Sequence, residues 1–306
     1  MKNYQDNEIE IINKERLELI NSNEYNTGRR IIKIWKMIKK FQIIKLIYEI
    51  KKHKEINKMS SKNLKQYDMI RKNNINYEEK KIVVYTCITG NYDKVFDNYF
   101  WSDNVDYVLF SDSKELCNRD SNWKRIDISE IDKIKKMSLV EKNRYIKLHP
   151  YEFFQNKYDY AIYIDGNIQI VSDIRKLING ISDDYGIAMH RHRDRIDIYN
   201  EFKVCKILKK GNYINLKKQI KSYKEEGFPK NYGMLEANVI YIDLKNNTGS
   251  AIMESWWKEF FYRKSGRDQI SLPYVLWKQQ IETSKIATLG SNVYKNPIFF
   301  IDKHNK

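Results

Sequence analysis

Tyr160-Ala161-Ile162-Tyr163-Ile164-Asp165-Gly166-Asn167 is the stretch on which the reading of the chain turns. Tyr160 to Asp165 is a short β-rich run that ends in a polar residue, and Gly166 and Asn167 make a turn after it. With glycine between them, the side chains of Asp165 and Asn167 can be aimed at one point. Hard cations such as Mg²⁺ and Mn²⁺ take oxygen ligands and bridge to substrate phosphates, so an Asp-x-Asp-like corner at a strand end suits a metal diphosphate. The same tripeptide also suits a plain turn.

Two runs upstream have the same form: Lys81 to Thr86 (KIVVYT) and Tyr107 to Ser111 (YVLFS). Strands alternating with helical segments predict an α/β fold with a largely parallel sheet. In such sheets ligands bind beyond the carboxyl ends of the strands, so Thr86 to Asp93, Ser111 to Ser113 and Asp165 to Asn167 are expected to meet in one crevice. Gly90 lets the first of these loops approach a ligand closely. Tyr92 can stack on a base, and Asp112 can accept hydrogen bonds from a base or ribose. Ser138 to Glu141 (SLVE) fits a capping box and predicts a helix running to about His149, before Pro150. Arg144 and Lys147 stand three apart, share a face of that helix and can neutralise a diphosphate, although two solvated surface cations are the plainer reading.

The 306 residues are 42% hydrophobic and 13% aromatic, enough for one sizeable core and an appendage. Cys87, Cys117 and Cys205 are odd in number and widely spaced, which suggests neither a disulfide framework nor a zinc cluster. No stretch approaches the roughly 18 apolar residues of a membrane span, and the polar start is unlike a signal peptide. A cytosolic or membrane-surface location is expected. The charge of +16 raises the question of nucleic acid, but lysines are spread along the whole chain and no nucleic-acid-binding motif accompanies them, so none is expected as a partner.

Residues 1–79 read as a basic helical extension and linker, and residues 80–306 as the catalytic domain. Between Arg29 and Lys54, Ile31, Ile34, Trp35, Ile38 and Phe41 recur at helical spacing, with Lys33, Lys36, Lys39 and Lys40 mostly off the stripe. Such a helix packs on the domain or on another subunit, or lies on an anionic membrane surface. Ser60 to Glu79 is polar and broken by Asn73, Asn74 and Asn76, and reads as a linker. Deletion of Met1 to Lys72 is expected to lower co-sedimentation with anionic liposomes and leave catalysis intact.

The ordered series YTCITGNYDKV, FSDS, EKNRYIKLHP, YIDGNIQI, HRHRDRIDIYNE, GMLEANVIYID and SGRDQISLPYVLWK resembles a glycosyltransferase-like family long described as a domain of unknown function. That family includes bacterial polysaccharide-cluster proteins and plant Golgi proteins linked to mucilage and cell-wall polysaccharides. The resemblance spans about Ile82 to His304. It implies a GT-A fold, a nucleoside diphosphate sugar (UDP-sugar) donor, a glycan or lipid-linked acceptor, and Mn²⁺ or Mg²⁺. It places Thr86, Gly90, Tyr92 and Asp112 at the nucleotide and Arg144 and Lys147 at the diphosphate. Asp165 and Asn167 become the metal ligands, with His304 as a late third. Asn167 departs from the second aspartate of the pattern, which weakens the hold on metal.

The resemblance further implies that His190, Arg193, Tyr199, Glu201 and Gln269 face the acceptor. Asp268 and Glu236 are the carboxylates for the anomeric centre, taking the acceptor proton or standing beneath the sugar, with Asp268 the first choice. Asp268 can equally serve as a helix cap. A nucleotidyltransferase would share the crevice and metal, but Thr86 to Asp93 lacks its usual Gly-rich loop with Arg and Lys. A non-catalytic basic binding protein would explain the charge but not the polar strand ends.

Overall fold

Ile82–Ile88 is seven residues long and buried throughout, because this strand lies at the centre of a sheet covered on both faces. The computed structural model describes residues 2–39, 42–61, 64–94, 96–113, 116 and 122–302. Strands are numbered in chain order: β1 Ile82–Ile88, β2 Val105–Ser111, β3 Lys124–Asp127, β4 Tyr160–Ile164, β5 Ile168–Ile170, β6 Ile187–Arg191, β7 Leu235–Asp243 and β8 Phe299–Ile301. The main sheet runs β3-β2-β1-β4-β7-β6, and β5 pairs with β8 in a small second sheet. β1 to β4 are mutually parallel, β7 runs against β4 and β6, and β6 therefore runs with the others. This is the expected α/β architecture, a mostly parallel mixed sheet. It puts the carboxyl ends of β1, β2 and β4 on one edge.

Helices α4 (Leu139–Leu148), α5 (Pro150–Phe154), α8 (Asn247–Arg263) and α9 (Asp268–Lys278) cover one face, where Tyr85 and Tyr163 pack with Phe154 and Trp256. The predicted capping box is present: Glu141 N donates to Ser138 Oγ at 3.3 Å, and Ser138 N donates to Glu141 Oε2 at 2.9 Å. The other face packs on residues 174–178, the β5/β8 sheet and residues 289–299. Helices α6 (Ile198–Leu208) and α7 (Tyr213–Glu225) build a third cluster with α9 around Tyr223 and Tyr274, whose rings stack at 3.8 Å.

Ahead of the sheet lie α1 (Lys2–Asn21), α2 (Asn23–Lys39) and α3 (Ile43–Lys58). α1 rests on the far end of the chain: Asn13 Nδ2 donates to Pro297 O at 2.7 Å, and the Arg16 guanidinium lies 3.9 Å over the Phe300 ring. The expected linker is an extended strap. Tyr67 N and O pair with Ser291, the Tyr67 hydroxyl donates to Ala287 O, Ile70 N to Thr288 O, and Lys72 N to Asn179 O. Asn73, read from sequence as a linker residue, donates its side-chain amide to Ile181 O at 2.7 Å. Met37, outside the predicted stripe, is buried, whereas Ile31, Ile34, Trp35 and Ile38 of the stripe are exposed. Phe41 of that stripe, Lys40, the side chain of Lys39, and Cys117 lie outside the described residues.

Candidate active site

Strand alternation places Tyr163 and Asp165 on the same side of β4. The Tyr163 hydroxyl donates to Asp165 Oδ1 at 2.9 Å, which fixes the carboxylate at the strand end. Gly166 follows because a Cβ there would stand 2.7 Å from Ile88 Cγ1 at the end of β1. Asn167, 7% exposed, donates its amide to Asp302 O at 2.7 Å, and Asp302 N donates back to Asn167 O. Asp165 Oδ2 and Asn167 Oδ1 accept no hydrogen bond from the described residues. The corner thus carries, at the carboxyl end of β4, two oxygens that no described residue bonds. Among the described residues no group of three His, Cys, Asp or Glu side chains gathers as a metal cluster. His304 lies outside the described residues, two positions after the Asp302 that pairs with Asn167.

Thr86, Ile88, Ile164, Asp165 and Gly166 share a cleft with Phe96 and Trp123. The Thr86 hydroxyl is buried there with no hydrogen-bond partner among the described residues. Asp112 Oδ1 accepts from Gly90 N at 2.8 Å, tying the end of β2 to the loop after β1. Gly90 has φ +60°, and a Cβ there would meet Leu139 Cδ1 at 2.4 Å. Tyr92, in the same loop, is 42% exposed.

Arg144 and Lys147 share a face of α4 as predicted, and that face turns inward onto Asp268. Lys147 Nζ lies 2.8 Å from Asp268 Oδ2, and Arg144 Nε lies 3.0 Å from Oδ1. Lys147 and Asp268 are 2% exposed, whereas the Arg144 side chain keeps 22%. Burial alone would raise the Asp268 carboxyl, but Arg144 and then Lys147 outweigh it and hold it well below the usual carboxylate range. Asp268 is an ionised, doubly paired group. It does not cap α9: Arg267 occupies the cap position and no side-chain cap bond forms there.

Glu236, on β7, is 8% exposed and differently held. Its Oε1 accepts from Arg193 N at 3.2 Å and its Oε2 from Gln269 Nε2 at 3.3 Å. Burial raises its carboxyl above the usual range, partly opposed by Arg193. Beside it, Glu201 is 3% exposed, ion-paired with Arg195, and its Oε1 accepts from Arg267 Nη2 at 3.2 Å.

Of the residues assigned to the acceptor, His190 and Glu201 are buried, and Tyr199 and Gln269, half-buried, are held by bonds within the protein. His190 is 1% exposed, hydrogen-bonded to Asn296 and drawn down to about 3 by burial, so it is neutral structure rather than a surface contact. Tyr199 donates its hydroxyl to Phe228 O at 2.7 Å. Glu201 spends its oxygens on two arginines, because an ionised carboxylate taken out of water requires partners. Gln269 bridges Glu236, Leu235 O and Arg267. Arg193 alone of the group has an exposed side chain, at 47%, stacked 4.7 Å over the Tyr294 ring.

Three residues went unread in the sequence. Tyr163 could have been found from the period of two, since it stands two before Asp165. Arg267 sits inside the RDQ segment itself. Tyr294 comes from an irregular stretch with no period; its phenol is pushed up to about 12, by burial and then by Glu236, with Asp165 also close enough to contribute.

Loose structural likenesses exist to the apo bifunctional glycosyltransferase WbbM (14% identity, 66% of this chain and 38% of that one, TM-score 0.39) and to mouse xyloside xylosyltransferase 1 (9%, 66% and 82%, 0.40). The galactosyltransferase LgtC, solved with donor and acceptor sugar analogues, aligns at 12% identity over 64% and 70% of the two chains, TM-score 0.36. The chain spans little more than a third of WbbM. At TM-scores below 0.5 these likenesses carry no argument. No curated protein matches the sequence. The profile of the TOD1/MUCI70 glycosyltransferase-like domain matches residues 47–304, most of the chain and every strand of the sheet. The chain belongs to the TOD1/MUCI70 glycosyltransferase-like family.

Proposed function

We propose that this protein transfers a sugar from a nucleoside diphosphate sugar, a UDP-sugar, to a glycan or lipid-linked acceptor in surface polysaccharide synthesis. The observation that carries the reading is the Asp165-Gly166-Asn167 corner, with two oxygens that no described residue bonds at the carboxyl end of β4, beside the Arg144–Asp268–Lys147 cluster. Its donor set of a carboxylate and an amide oxygen fits Mg²⁺ or Mn²⁺, with His304 as a further ligand. A cation held there would supply positive charge to stabilise a departing diphosphate.

The protein's own groups divide the remaining work. Arg144, the partly exposed member of its cluster, donates to the diphosphate, and Asp268, itself paired with Lys147, keeps the guanidinium in place. Thr86 and the Gly90 loop border the nucleotide, shaped by Asp112, and Tyr92 stacks on the base. Asp268 was the first choice for the anomeric centre, but both its oxygens are ion-paired, and a carboxyl held so low is a poor proton acceptor. Glu236 fits better. Its raised carboxyl lies nearer the working pH, and Arg193 N and Gln269 orient it toward the acceptor's hydroxyl.

Calorimetry tests the corner. UDP with Mn²⁺ should bind the wild type, and Asp165→Ala should lose that binding and at least about a hundredfold in transfer. If no nucleoside diphosphate binds in the presence of metal, and Asp165→Ala transfers like the wild type, the assignment fails.

A further inference from the structure

The α2–α3 region exposes large apolar side chains on both of its helices. Ile31, Trp35 and Ile38 on α2, and Ile44, Ile47 and Tyr48 on α3, are between 48% and 86% exposed. The first three lie at i, i+4 and i+7, and the others at i, i+3 and i+4, so each set forms one stripe on its helix. Lys33 and Glu49 join the two helices at 3.3 Å. Arg29 to Lys54 holds ten lysines and arginines against one acid, Glu49.

We infer that the α2–α3 hairpin seats the protein on an anionic lipid bilayer, its apolar stripes sunk to the boundary of headgroup and acyl chain and its lysines on headgroup phosphates. Charge complementarity selects this occupant. A second copy docking face to face would set ten cations against ten of the same sign. A nucleic acid would meet the cations and leave Ile31, Ile38 and Ile44 in water. A bilayer interface satisfies both, because long lysine side chains reach phosphates while their stems cover apolar surface.

The hairpin is not a loose tail. α1 before it is bonded to Pro297, and Ser61 after it donates to Asp194 O at 2.7 Å, one residue from the exposed Arg193. Docking therefore holds the catalytic domain at a set orientation to the lipid surface.

Co-sedimentation of the full chain with phosphatidylcholine vesicles, with and without phosphatidylglycerol, tests the inference independently of any transferase activity. The wild type should bind the anionic vesicles and not the neutral ones. Trp35→Ser/Ile38→Ser should lower the partition coefficient about tenfold with an unchanged melting temperature. Lys36→Gln/Lys51→Gln should lower it about threefold, and added salt should weaken wild-type binding. Equal wild-type binding to both vesicles, or equal binding by wild type and both variants, overturns the inference. So does a wild-type dimer in sedimentation velocity that Trp35→Ser/Ile38→Ser converts to monomer.

Discussion

Lys147 and Lys36 carry the same ammonium group and live under opposite rules. Lys147, 2% exposed, has a single carboxylate 2.8 Å away and two aromatic rings, Tyr163 and Trp256, within 5.7 Å. Lys36 stands in solvent among nine other cations of the α2–α3 region. The buried charge has one partner, and losing either member strands the other where water cannot repay the loss. The exposed charges are interchangeable, screened by salt and effective only in number. The fold thus uses one residue type both to organise a site and to coat a surface, and burial decides which.

The most severe way to test this contrast is Asp268→Ala. It leaves Arg144 and Lys147 uncompensated, and we expect a loss of about 3–5 kcal/mol in urea denaturation. Wild-type stability would show that the cluster is hydrated and that the contrast is false. A second test titrates the buried polar block. His190 sits at about 3 in the folded protein against 6.5 for an ordinary histidine. The unfolded chain therefore takes up a proton below pH 6.5 that the folded protein refuses, and stability is full above 6.5 and falls as pH drops toward 3. His190→Gln should flatten that fall by up to about 1.4 kcal/mol per pH unit and change nothing in the slope above 6.5. Parallel wild-type and variant curves would place a proton on His190 in the fold. At the mild end, Lys36→Gln/Lys51→Gln should move stability by less than about 0.5 kcal/mol in the same measurement.

How far the sequence could be read follows the same division between local and distant partners. KIVVYT, YVLFS and YAIYID are strands, and SLVE caps a helix, because these signals lie within a few adjacent residues. The common face of Arg144 and Lys147 was equally readable. That it turns inward was not, since its partner Asp268 is 121 positions away from Lys147. The block from His190 to Glu201 looks like a polar surface in sequence. Only the fold shows that Arg195, Arg267 and the glutamates satisfy one another inside. Asn73 read as a linker residue because asparagine favours turns, yet its amide is one of the strap's fastenings.

The strap and α1 also impose an order of events. The Asn13 bond to Pro297 O spans 284 positions, and the Gln66 and Tyr67 bonds to Ser291 and Ala287 span 225 and 220. Such closures come late, because each must overcome the loop entropy of most of the chain. During synthesis, residues 2–75 emerge long before residues 287–302 exist to receive them. The strands β1 to β4 can pair in that interval, but the segment that brings Tyr294 to the site and Asp302 to Asn167 cannot yet be in place. Activity should therefore be the last property acquired on refolding, appearing after the sheet's circular dichroism signal has recovered.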